Sequence, residues 1–214
     1  MSDWILVTGF GPFPGVEINP TQLLAERLNG EQYQGMSVVS CLLDVSFDRA
    51  ATQLYEALSS GWPRFIVHFG VATGSSCISV ETQGVNCKSA EVPDVDGELF
   101  QSCVVNASHP LNTILYTSIP TEQLVRSLND HGYAALSSDD AGRYVCNATY
   151  FNSLSYVAES AVSTPSVFIH MPMVAHPENK NSKAWTSDRL YESAAHIIGW
   201  IASHTATPIS PCSS

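Results

Sequence analysis

Apolar and polar positions fall into two kinds of short block along the chain. Trp4-Ile5-Leu6-Val7 is a continuous apolar run of strand length, followed by the turn-rich Gly9-Phe10-Gly11-Pro12-Phe13-Pro14-Gly15. Asn19-Pro20 reads as a helix cap with proline at the first helical position, ahead of Leu23, Leu24 and Leu28. A second strand is expected over residues 36–45. Ser46 is placed to cap a helix carrying Phe47, Ala50, Leu54 and Leu58. Residues 65–69 form a third apolar run, closed by Gly70, and a further strand is expected near 77–82.

From there to residue 112 the helical period disappears. Turn residues dominate, and the stretch Val92-Pro93-Asp94-Val95-Asp96-Gly97 marks a long excursion or hairpin. Periodicity returns with a helix opened by Pro120-Thr121 and carrying Leu124, Val125 and Leu128. A short strand at 134–136, a helix over 141–161 and a strand over 166–171 follow. Ser187 or Asp188 opens a last helix with Leu190, Ala194, Ile197, Ile198 and Ile201 on one face. The Pro/Ser-rich tail, 205–214, is expected to fray. Strands alternating with helices predict an α/β fold. The expected architecture is a single-domain, three-layer α/β/α sandwich with a twisted, mainly parallel central sheet.

Composition narrows the classes. A chain of 214 residues that is 44% hydrophobic can bury one sizeable core. Lys+Arg number 9 against 20 Asp+Glu, a net charge of −11 that opposes nucleic acid and anionic membrane surfaces. No apolar run reaches the roughly 18 residues a membrane span needs, and Met1-Ser2-Asp3-Trp4 does not open like a signal peptide. A cytoplasmic location is therefore expected. Cys41, Cys77, Cys87, Cys103, Cys146 and Cys212 contain no C-x-x-C pair, which argues against a zinc site and predicts reduced thiols.

Cys146 stands out among them. It follows an Asp-Asp-Ala-Gly turn and falls in the first turns of a helix, where free N–H groups and the helix dipole favour a thiolate. His170, near the end of an apolar strand, faces the edge at which α/β sheets bind ligands, and its imidazole suits a thiol nucleophile. His68 and His176 compete for that role by position. Glu81 could orient an imidazole as a third member. Phe10 and Phe13 offer an apolar slot for a small flat ring. The loop that holds them lacks both G-x-G-x-x-G and the P-loop lysine, and its prolines remove N–H donors that phosphate would need.

Together these segments resemble the pyroglutamyl peptidase I (pyrrolidone-carboxylate peptidase) family. The resemblance runs through Val7-Thr8-Gly9-Phe10-Gly11-Pro12-Phe13 with Asn19-Pro20, then through His68-Phe69-Gly70 and through Glu81 with Asn86. It ends in Ala141-Gly142-Arg143-Tyr144-Val145-Cys146-Asn147 and Phe168-Ile169-His170-Met171-Pro172. It implies a catalytic domain over 1–204 with a triad of Cys146, His170 and Glu81. Phe10 and Phe13 would hold the substrate, Asn19 would order the loop, and Val71 would stand at the pocket. It further implies peptides with an N-terminal pyroglutamate as substrate, a thioester intermediate, no metal and no organic cofactor; assembly into a homo-oligomer is left open. Bacterial members carry arginine at the positions of Thr82 and Glu91 and often glutamine at Val71, so the departures fall around the pocket and spare the triad. A related thiol amidase with an altered pocket, or a ligand-binding protein without turnover, are the alternative readings.

Overall fold

In a computed structural model of the chain, residues 4–160, 164–174 and 184–205 are described. The strands are β1 (Trp4–Phe10), β2 (Gln32–Tyr33), β3 (Met36–Leu43), β4 (Ile66–Ala72), β5 (Ile78–Glu81), β6 (Gln83–Val85), β7 (Ile114–Tyr116), β8 (Ala135–Ser138) and β9 (Ser166–Pro172). The helices are α1 (Pro20–Leu28), α2 (Phe47–Ser59), α3 (Thr121–Asp130), α4 (Val145–Ala158) and α5 (Ser187–Thr205). Local chemistry explains the helix starts. Asn19 accepts the Thr21 N–H at 3.0 Å ahead of Pro20, and Ser46 accepts the Arg49 N–H at 3.2 Å. Such caps contribute about 1 kcal/mol each.

Seven strands form one sheet in the order β2-β3-β1-β4-β9-β5-β8. β3, β1, β4 and β9 are parallel; β5 and β8 are parallel to each other but run against β9. β2 also pairs antiparallel, with β3. Because side chains alternate across a strand, Ile5, Val7, Val67, Phe69, Val167 and Ile169 pack on one face with α1, α3 and α5. Phe10 and Phe168 pack on the other with α2 and α4, and Leu6 and Ile66 join that second face. The result is the α/β/α sandwich expected from the alternating pattern. Among the described residues, no helix is long and apolar enough to cross a membrane.

Several boundaries differ from the sequence expectation. β4 runs through Gly70 to Ala72 instead of stopping at it, because β9 continues the ladder alongside as far as Pro172. α4 begins at Val145, four residues later than expected. Gly142 sits at φ +76° and Tyr144 is extended, so the turn consumes residues 141–144. The small β6–β7 pair and the edge strand β2 were not anticipated. Cys41, Cys77, Cys87, Cys103 and Cys146 are free thiols. Cys212, His176 and the tail from 206 lie outside the described residues.

Candidate active site

Two rows of side chains cross the sheet face beneath α4. The register aligns Thr8 with His68, His68 with Phe168, and Phe168 with Glu81; the next row aligns Gly70 with His170 and His170 with Ser79. Cys146 is the second residue of α4 and descends onto the second row. Its sulfur would lie 3.1 Å from a Cβ placed on Gly70, and Phe168 Cζ would lie at 2.6 Å. Only glycine leaves room for the thiol and the Phe168 ring together. Ala148 is the first residue of α4 to bond back, to the Tyr144 carbonyl at 3.1 Å. The N–H groups of Val145, Cys146 and Asn147 therefore precede the helical ladder, beside the sulfur.

His170 bonds through Nδ1 to Glu81 Oε1 at 2.7 Å, and the Cys146 thiol is close enough to act on the imidazole electrostatically. Burial alone would lower the His170 pKa. Hydrogen bonds and charge from Cys146 and Glu81 outweigh it and push the pKa up to about 10. Glu81 is 1% exposed. Its backbone carbonyl accepts the Tyr150 hydroxyl from α4 at 2.9 Å, which ties the acid's strand to the helix of the thiol. Asn147 adds a second tie, exchanging bonds with the Val85 N–H at 2.9 Å and its carbonyl at 2.8 Å.

In front of the sulfur opens a cavity of about 480 Å³. Phe10, Phe13, Asn19 and Val71 all line it, as does Cys146; His170 and Glu81 stand behind the thiol and are not among its lining residues. The remaining walls come from Pro14, Val45, Thr73, Tyr144 and Val145, with Val92 and Pro93 from the excursion. Among the described residues, no Asp, Glu, Lys or Arg side chain lines it. Asn19 turns its amide inward to the loop, donating to the Gly11 carbonyl at 2.9 Å and accepting from Thr21. It thus shapes the aromatic loop from behind.

The wall formed by Val92 and Pro93 has an anchor that sequence reading missed. The buried Asp94 accepts the N–H of Phe47, at the start of α2, at 3.0 Å, and those of Asp96 and Glu98 at 3.0 and 2.9 Å. Val95 N–H bonds to the Val45 carbonyl, and the Tyr144 hydroxyl to the Pro93 carbonyl. No local signal marks this aspartate, because the helix start it bonds lies 47 residues earlier in the chain. The two other departures noted in the sequence lie off the cavity. Thr82 bonds to the Ser138 carbonyl, and the exposed Glu91 lines a neighbouring surface cleft with Arg143.

A thiol at a helix N-terminus, backed by an imidazole and a carboxylate and opening on an apolar cavity, is the constellation of a cysteine hydrolase. The pyroglutamyl peptidase family model matches residues 3–190. A pyrrolidone-carboxylate peptidase from Pyrococcus furiosus is 34% identical over 79% of this chain and 81% of its own length. The one from Klebsiella pneumoniae is 30% identical over 90% and 91%. A crystal structure of a mutant pyrrolidone carboxyl peptidase from P. furiosus superposes with a TM-score of 0.86 at 30% identity, covering 95% of this chain and 99% of that one. Pyroglutamyl peptidase I from Bacillus amyloliquefaciens gives a TM-score of 0.85 at 26% identity, covering 95% and 98%. The chain belongs to the pyroglutamyl peptidase family.

Proposed function

We propose that this protein is a cysteine peptidase that removes an N-terminal pyroglutamyl residue from peptides, with Cys146 as nucleophile, His170 as its acid–base partner and Glu81 as the group that orients the imidazole. One observation carries the assignment of roles. The Cys146 thiol stands between an uncharged apolar cavity and a His170–Glu81 pair bonded at 2.7 Å.

With the proton held on His170, Cys146 attacks the pyroglutamyl carbonyl carbon as a thiolate. The carbonyl oxygen becomes an oxyanion beside the free N–H groups of the first turn of α4, each such donor contributing roughly 3–4 kcal/mol. Collapse breaks the C–N bond, His170 gives its proton to the leaving amine, and a thioester remains on Cys146. His170 then takes a proton from water, which attacks the thioester. Free pyroglutamic acid leaves and the thiol returns.

The cavity supports the substrate class. A pyroglutamyl ring carries no ammonium, so it can enter an uncharged slot between Phe10 and Phe13. An ordinary N-terminal residue would bury its charge there with no carboxylate partner among the described lining residues, at a cost of several kcal/mol. The lactam C=O and N–H would be read by backbone groups of the cavity walls, since Asn19 is already engaged. The test is turnover of a pyroglutamyl reporter, with and without prior alkylation, beside prolyl and glutaminyl reporters. Equal rates on the three would overturn the substrate assignment, and alkylation without effect would overturn the thiol mechanism.

A further inference from the structure

His68 lies under the site without touching the thiol–imidazole pair, and the mechanism above does not use it. It is fully buried in β4, between Thr8 of β1 and Phe168 of β9 in the same row. Its Nδ1 shares a hydrogen bond with Thr8 Oγ1 at 2.8 Å. Among the described residues its Nε2 is buried with no partner, so Thr8 is the ring's single polar tether.

We propose that His68 is a positioning residue: its ring, oriented by Thr8, backs the Phe168 plate on which both the His170 imidazole and the Phe10 floor of the cavity rest. The ring of His68 stacks on Phe168 at 6.0 Å and 25°. On its other contacts Phe168 meets His170 at 4.8 Å and Phe10 at 6.2 Å. Tyr150 touches the same plate at 5.8 Å, and Gly70 gives it no slack. A shift of Phe168 toward β1 would therefore move the general acid and the substrate floor together. Burial holds the His68 pKa down to about 3, so the ring stays neutral and adds no second cation beneath His170.

The inference rests on the catalytic reading of Cys146 and His170, and the test separates the two. Wild-type turnover of the pyroglutamyl reporter checks that reading first. His68→Leu and the near-isosteric Thr8→Val are then compared for kcat, KM and the pH profile of Cys146 alkylation by iodoacetamide, which needs no substrate. Displacement of positioned groups costs about tenfold to a hundredfold in rate. That loss of kcat is expected for His68→Leu and a smaller one in the same direction for Thr8→Val, with both alkylation profiles displaced from wild type. The double variant should be no worse than His68→Leu, because Thr8 acts through His68. A folded His68→Leu protein with wild-type kcat and profile would overturn the proposal. If His68→Leu does not fold, Thr8→Val decides: an unchanged kcat and profile would overturn it.

Discussion

His170 and Glu81 meet at 2.7 Å across the seam where β5 runs against β9. The two residues are two register positions apart and so on the same face, since Glu81 pairs with Phe168 and His170 with Ser79. The carboxylate reaches the imidazole diagonally past the Phe168 ring. Cys146, the other group that raises its pKa, completes the surroundings of the imidazole.

Replacing the sulfur tests the nucleophile. Cys146→Ser is expected to lower kcat on a pyroglutamyl reporter by at least about a thousandfold with little change in fold, because a hydroxyl is far less acidic than a thiol. A burst assay alongside should lose its acyl-enzyme phase. Wild-type rates in the variant would remove Cys146 from the reaction.

Glu81→Gln keeps the shape but removes the charge and unfixes the tautomer of His170. A loss of about a hundredfold or more in kcat is expected.

The alkaline limb of activity follows from the same pair. His170 is raised from its ordinary 6.5 to about 10, so kcat/KM should fall as the imidazole gives up its proton near pH 10. In Glu81→Gln that limb should move to lower pH, since a group that raised the pKa is gone. Linkage gives stability the same sign: the contribution of a protonated His170 is full below pH 6.5 and is lost as pH rises through about 10. A pH–rate profile with chemical unfolding at several pH values checks both; an alkaline limb unmoved by the substitution would contradict the first.

Asp94→Ala releases the wall that carries Val92 and Pro93 and leaves three N–H groups without their acceptor. A stability loss of about 1–3 kcal/mol is expected, with KM for the pyroglutamyl reporter rising about tenfold. Alkylation of Cys146 should be unchanged, because Asp94 does not touch the thiol–imidazole pair. A parallel loss of alkylation rate would place the aspartate in the chemistry instead.

Gly70→Ala places a methyl 2.6 Å from Phe168 Cζ and 3.1 Å from Cys146 Sγ. Overpacking of this kind costs about 1–3 kcal/mol, and here the displaced atoms are the Phe168 ring and the Cys146 sulfur. Both melting temperature and kcat should fall; a fully active, stable variant would mean that Phe168 can yield.

Much of this was legible in the sequence because the signals are local. Asn19-Pro20 and Ser46 announce two helices by capping chemistry, and the apolar run ending near His170 announces β9. What could not be read is held by long-range polar bonds in a stretch without periodicity. Asn86 gathers the backbone of residues 105–110, and Asp94 fixes the cavity wall to α2. The reversed direction of β5 was also invisible, since the short alternation Ile78-Ser79-Val80-Glu81 reads alike in either direction. The cavity's Tyr144 was seen only as part of a motif; its ring packs edge-on to Phe47 at 5.5 Å, a neighbour nearly one hundred residues away.

The lining in front of Cys146, uncharged among the described residues, limits how far the enzyme can go along any one chain. Each cut exposes a fresh α-amino group, and that newborn cation is the feature the slot refuses. The trimmed peptide therefore leaves after a single event instead of being shortened stepwise. A chain capped by cyclised glutamine is uncapped once and handed on with an ordinary amino end.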